Sequence, residues 1–335
     1  GLVLYREHRA LYLGYVWWLW FLTPLVRRLI DYRVGYDSIN PVLTAPLLVS
    51  GLCLWSLFLH LPKLTRRSLV GLVPILVSLL YAYPLGIRST GLQAATFSLL
   101  QWLVPVALGF HLATDVQRYP EYRATTRLAF TWAALLLGLY GVWQFISPQP
   151  WDSYWMMNAD MTTIGRPLPL EVRVFSTLNS PTPFAMVMLV GLLMLLSERT
   201  VVHVLVGVPA YLAFLFSLVR TAWGGWVIGV WVYASYLRSP ARIRLAVSVG
   251  TLALLVGAVT ATPLGSRIER RFATFTGLSE DKSLEVREAT AGEIARSILE
   301  DPLGRGLGAT GSARRLASGA TQTFDNGLLN LFFSL

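Results

Sequence analysis

Four stretches of this 335-residue chain hold side chains that could act on an anion. "EVRVFSTLNSPTPFAMV", residues 171–187, contains Arg173 and Asn179, and "FSLVRTAWGGW", residues 216–226, contains Arg220. "LEVREATAGEIARSILEDPLGRGLG", residues 284–308, contains Arg287 and Arg305, and Asp325–Asn326 introduces the apolar run that closes the chain. A guanidinium stays charged at any physiological pH and offers phosphate oxygens a planar fork of donors. A carboxylate with an ordinary pKa of about 4 is ionised at neutral pH and can accept a proton. Cations that hold an anion and a carboxylate that takes a proton are therefore the chemistry on offer.

Each residue also has a plainer reading. Arg173 and Arg220 could be interfacial side chains that snorkel. Residues 284–300 read as a helix, with Ser283 as N-cap, Glu285 and Glu288 near the first turn, and Pro302 and Gly304 ending it. At roughly 100° per residue, Leu284, Ala291, Ile294, Ala295, Ile298 and Leu299 share a face. Arg287 falls in the middle of that face, so it meets either an internal carboxylate or an anionic ligand. Asp325 or Asn326 could serve only as an N-cap.

Asp325 leads Glu171, Asp152 and Asp160 as a proton acceptor, while Arg270, Arg271, Arg305, Arg314 and Arg315 are weaker anion ligands. Gly306-x-Gly308-x-x-Gly311 has the spacing of a dinucleotide fingerprint, but a helix precedes it where a strand is required. It reads instead as a loop whose backbone N–H groups could approach a phosphate. P-loops, nucleophile elbows and glycosylation sequons are absent.

The elements that must position these residues are apolar. The chain is 54% hydrophobic and 14% charged, against about 25% charged for soluble domains. Its net charge of +10 is scattered between apolar runs and forms no single stripe, which excludes a nucleic-acid reading. The expected fold is all-α, a polytopic bundle of about ten transmembrane helices. They fall near 11–27, 44–60, 69–87, 92–113, 128–147, 183–197, 201–218, 222–237 and 245–262, with a tenth starting at Gly327. A spanning helix needs about 20 residues, and the run from Gly327 stops sooner. The chain also opens on Gly1 rather than Met, so it reads as a piece of a longer protein.

Residues 1–262 thus form helices with short loops and an outer loop near 148–182. Residues 263–326 form a large outer loop with the amphipathic helix, and 327–335 begin a truncated helix. Arg6 and Arg9, Lys63 to Arg67, Arg118 to Arg127, Arg199, and Arg238 to Arg244 outnumber the basic residues of the opposite short loops. The positive-inside rule then puts the N-terminus in the cytoplasm and both long loops outside. His8, His60, His111 and His203 all fall on the inner side, and Cys53 is the only cysteine. No metal site is expected on the outer face, and no intrachain disulfide is possible. No charged residue is expected deep within the helices, which argues against a polysaccharide exporter or channel, the competing non-enzyme reading.

Taken in order, "RVFSTLNSPTPFA", "SLVRTAWGGW", Arg287 followed by "ILEDPLGRGLG", and "DNGLLNLFF" resemble the O-antigen ligase/O-antigen polymerase family of bacterial membrane glycosyltransferases. The resemblance covers about residues 90–335 and is strongest from Arg173 onward. It implies a polytopic inner-membrane enzyme whose periplasmic face transfers or polymerises polyprenyl-pyrophosphate-linked glycans, without cofactor or metal. The acceptor would be a glycan, a lipid or a protein. It implies that Arg173, Arg220 and Arg287 hold the pyrophosphate, supported by Asn179, Arg305 and Asn326, and that Asp325 is the base. Ligases of the family typically carry histidine before this Asn; Asp325 stands there here, which tips the reading toward polymerase.

Overall fold

The computed structural model describes residues 1–60, 66–159, 164–197, 200–262, 292, 303–318, 331 and 334. The expected helix at 284–300 and the start of the helix at Gly327 lie outside the described residues, as do Arg287, Asp325, Asn326 and Asp160. Among the described residues the fold is all-helical with no strand, and the β bridge whose two partners are both described joins Gly165 and Val172 in antiparallel fashion.

The helices are α1 (Leu2–Glu7), α2 (Arg9–Val34), α3 (Ala45–Ser50), α4 (Cys53–His60), α5 (Arg66–Thr90), α6 (Leu92–Thr114) and α7 (Tyr119–Ile146). They continue as α8 (Pro150–Asn158), α9 (Pro181–Leu195), α10 (Thr200–Phe216), α11 (Arg220–Ser235), α12 (Ser239–Thr260) and α13 (Arg314–Ser318). The hydropathy pattern predicts about ten spans. Four segments have the length and composition to cross a membrane: Pro41–His60, Gly71–Thr90, Leu92–Thr114 and Val116–Ile146. Pro181–Leu195 and Leu205–Phe216 are apolar but shorter.

The chain divides into two compact units. The first joins Val3–Pro46 to the described residues from Pro120 to 262. Its core sits between α7, α9, α10 and α11 and includes Phe130, Leu137, Phe184, Met188, Leu192, Phe214 and Trp223. Small residues let the backbones close up, as membrane helices require when lipid tails are as apolar as side chains. A Cβ built on Gly138 of α7 would stand 2.8 Å from the Cα of Ala210 on α10. Phe145 and Phe216 stack at 3.9 Å between ring centroids and tie the ends of α7 and α10 together.

The second unit comprises Leu47–Tyr119 and the described residues from 303 onward. Here α4 and α5 pack on α6. The loop after Leu303 lies against α5. Leu307 is fully buried with Leu79 and Ala82, and its N–H donates to the Ala82 carbonyl at 3.0 Å. The loop backbone comes so near that a Cβ on Gly306 would collide with the backbone of Leu85 and Gly86. Gly306 also has φ +81, a left-handed conformation that L side chains rarely adopt.

Two expectations are corrected. The helix expected over 11–27 runs on to Val34, so Arg27, Arg28 and Asp31 belong to α2 and not to a loop. They are buried there, near the C-terminal end of the helix. The segment 44–60, expected as one helix, is divided at Gly51–Leu52 into α3 and α4.

Candidate functional site

The site residues of the first unit hang on residues 164–180, a stretch with almost no regular structure. Its backbone groups must find partners elsewhere. Leu170 N–H donates to the Phe145 carbonyl at 2.8 Å, Arg173 N–H to Ile164 at 2.9 Å, and Val174 N–H to Phe216 at 3.0 Å. The Gln144 Oε1 accepts from the N–H groups of both Phe175 and Ser176, at 3.1 and 2.9 Å. Ser176 Oγ donates to the Leu137 carbonyl at 2.7 Å, and Thr177 Oγ1 donates to the Phe21 carbonyl at 2.6 Å. The stretch is therefore pinned to α2, α7 and the end of α10.

A buried ionic network supports it from beneath. Arg28 of α2 donates to Asp152 Oδ1 of α8 at 2.6 Å and to the Ser176 carbonyl at 2.5 Å. Asp152 Oδ2 accepts from Gln144 at 2.7 Å and from Tyr140 at 2.9 Å, and Trp151 Nε1 donates to the Tyr140 hydroxyl at 2.7 Å. The Arg28 guanidinium also lies over the Phe175 ring, 4.9 Å from its centroid. Arg28 and Asp152 are both fully buried. Burial pushes the Asp152 carboxyl up from its ordinary value, against the pull of Arg28, Gln144 and Tyr140. With both oxygens engaged and no access to solvent, Asp152 organises the loop and is not placed to take a proton from a substrate. It is thereby removed from the sequence-predicted bases.

Arg173 is half-buried and turned toward the α10–α11 turn. Its Nε donates to the Ser217 carbonyl and its Nη2 to the Leu218 carbonyl, both at 3.3 Å. Leu218 has φ +55, and Arg220 opens the 16-residue α11 two residues later. The structure thus brings the Arg173 guanidinium to the turn that carries Arg220. A helix N-terminus adds unpaired N–H groups and partial positive charge to that of Arg220. The three non-glycine residues with positive φ among the described residues are Leu170, Ser176 and Leu218. All belong to this loop and turn, and such conformations persist only where the surroundings enforce them.

Asn179 lies just ahead of α9, and its buried Oδ1 has no hydrogen-bond partner among the described residues. Glu171 is half-buried, and its carbonyl accepts from the Arg166 N–H at 3.2 Å. Arg305 belongs to the second unit. The structure therefore gathers Arg173, Arg220 and Asn179 into the first unit, while Arg287, Asp325 and Asn326 lie outside the described residues.

Arg28 and Gln144 escape the sequence reading, which names Asp152 only as a candidate base and not as the partner of Arg28. Arg27 and Asp31, which pair at 3.0 Å, left a readable signal in their i,i+4 spacing. Arg28 and Asp152 are separated by 124 positions, and nothing local couples them. Comparison with protein-family models, with curated proteins and with solved structures found no match.

Proposed function

We propose that this chain is a membrane glycosyltransferase that transfers or polymerises polyprenyl-pyrophosphate-linked oligosaccharides, on the resemblance to the O-antigen ligase/O-antigen polymerase family. The observation that carries the reading is Arg220 at the start of α11, on a turn held by the Arg173 guanidinium. Departure of a pyrophosphate leaves growing negative charge on its bridging oxygen. A cation fixed beforehand stabilises that charge without reorganising during the reaction. In this reading Arg220 and Arg287 grip the pyrophosphate. Arg173 holds the turn and adds its charge, with Asn179 and Asn326 in support.

The acceptor hydroxyl attacks the anomeric carbon as the bond to the pyrophosphate oxygen breaks. Asp325 takes the hydroxyl proton, and the lipid pyrophosphate departs with the electron pair. The chain sits in the bacterial inner membrane as a bundle of about ten helices, with the loops at 148–182 and 263–326 facing the periplasm. No metal or cofactor takes part.

Reconstitution in lipid nanodiscs with a polyprenyl-pyrophosphate-linked repeat, with and without lipid A–core, tests the reading. A product ladder without core is expected from a polymerase, and a single transfer requiring core from a ligase. Donor consumed under neither condition would contradict both.

The buried charges of α2 stand near its C-terminal end, away from the mid-helix position usual for ionisable groups in transporters. Their closed pairing, Arg27 with Asp31 and Arg28 with Asp152, also favours a structural role over a moving proton or ion.

A further inference from the structure

The second unit holds a cavity of about 250 Å³, lined by Ser89 and Thr90 of α5, by Arg305 and Ala309 of the glycine-rich loop, and by Arg314, Ala317 and Ser318 at α13. Two of these residues carry guanidinium groups and three carry hydroxyls. No carboxylate stands among the described lining residues. We propose that this cavity binds a phosphate group at the membrane boundary, with Arg314 and Arg305 as its charged ligands.

Three observations converge on that ligand class. First, the cavity is concave, polar and cationic, and arginine presents paired donors that fit phosphate oxygens. Second, its walls are fixed rather than assembled by chance. Ser89 Oγ donates to the Arg305 carbonyl at 2.5 Å, and Thr90 Oγ1 donates to the Leu307 carbonyl at 3.1 Å. Tyr81 donates to the Leu303 carbonyl at 3.0 Å, and Gln101 donates to Ser312 at 3.0 Å. The loop is thereby stapled to α5 and α6. Its Gly304, Gly306, Gly308 and Gly311 all have positive φ, the backbone habit of loops that turn N–H groups toward an anion.

Third, Thr90 ends one segment long and apolar enough to cross a membrane, and Leu92 begins the next. Where both segments cross, their junction at Gly91 falls at a membrane face, the level of lipid phosphates. Free phosphate and a lipid headgroup share the chemistry, and the position favours the headgroup as source.

This site is built from the second unit alone and does not rest on the glycosyltransferase reading. Its test needs no turnover. The full chain in detergent is titrated with inorganic phosphate by calorimetry, and its retention of dioleoyl phosphatidic acid against dioleoyl phosphatidylcholine is counted by native mass spectrometry. The variants are Arg314→Gln, Arg314→Lys and, as a control outside the cavity, Arg123→Gln at an exposed position of α7. Arg314→Gln is expected to weaken binding of the recognised probe roughly tenfold or more, the effect of losing charge-assisted hydrogen bonds. Arg314→Lys should retain part of the binding, and Arg123→Gln should match the parent.

Loss confined to phosphatidic acid would identify a lipid headgroup, and loss of inorganic phosphate binding would identify a soluble phosphate. Either outcome supports the site. Binding of neither probe, or binding that Arg314→Gln and Arg123→Gln change equally, overturns it. An Arg314→Gln chain that fails to fold is replaced by Arg314→Lys, for which binding unchanged from the parent would also overturn it.

Discussion

At the residue scale, two kinds of charge have to be kept apart. Arg28 and Asp152 are fully buried and pair only with each other and with neutral neighbours. Removing one partner of such a pair strands the other charge, at a cost of about 3–5 kcal/mol. Asp152→Ala should therefore lower the thermal unfolding midpoint sharply and abolish activity through loss of fold, and the fraction of monodisperse protein after mild heating would show it. Arg173 is only half-buried, and its two bonds to backbone carbonyls are long at 3.3 Å. Arg173→Gln should cost about 1–2 kcal/mol, with Arg173→Lys restoring little, because one ammonium cannot reproduce the fork. Equal stability of Arg173→Lys and the parent would show that the clamp does not hold the turn.

At the scale of elements, close backbone approaches decide more than hydrophobic area does. A Cβ on Gly306 would meet the backbone of Leu85 and Gly86, which cannot move aside as a flexible side chain can. Gly306→Ala should release the glycine-rich loop from α5 and raise amide hydrogen exchange across residues 303–312, while α9 to α11 keep their protection. The expected helices near 92–113, 128–147, 183–197 and 222–237 were legible because their apolar runs are bounded by Gly, Pro and charged residues.

Two elements were not legible. The final turns of α2 carry Arg27, Arg28, Asp31 and Arg33, which read as loop because so many charges follow an apolar run and the partner that buries Arg28 lies 124 positions away. The helix α8, "PWDSYWMMN", has neither an apolar run nor a 3.6-residue period. Of the candidate site, the residue types were readable but their geometry was not. Arg173 bonds to carbonyls, and a carbonyl has no sequence signature.

At the scale of the whole molecule, four segments of the described chain can cross a membrane by length and composition. The sidedness proposed from the basic residues can be measured directly. In a Cys53→Ser background, a cysteine replacing exposed Thr221 should react with a membrane-impermeant maleimide added to intact spheroplasts. One replacing exposed Ser239 should react only after the membrane is opened. The opposite pattern would invert the topology and remove the periplasmic site.

The most direct test of the central claim follows the leaving group. Nanodiscs holding the protein, a polyprenyl-pyrophosphate-linked glycan and its acceptor are sampled over time, and free polyprenyl pyrophosphate is counted by mass spectrometry against new glycosidic bonds. The account predicts one lipid pyrophosphate released per bond formed. It also predicts a rate reduced about a hundredfold to a thousandfold in a folded Arg220→Gln variant, the usual effect of removing one preorganised donor. Glycan bond formation at the parent rate in Arg220→Gln, or donor that stays intact while the protein binds it, would contradict the claim.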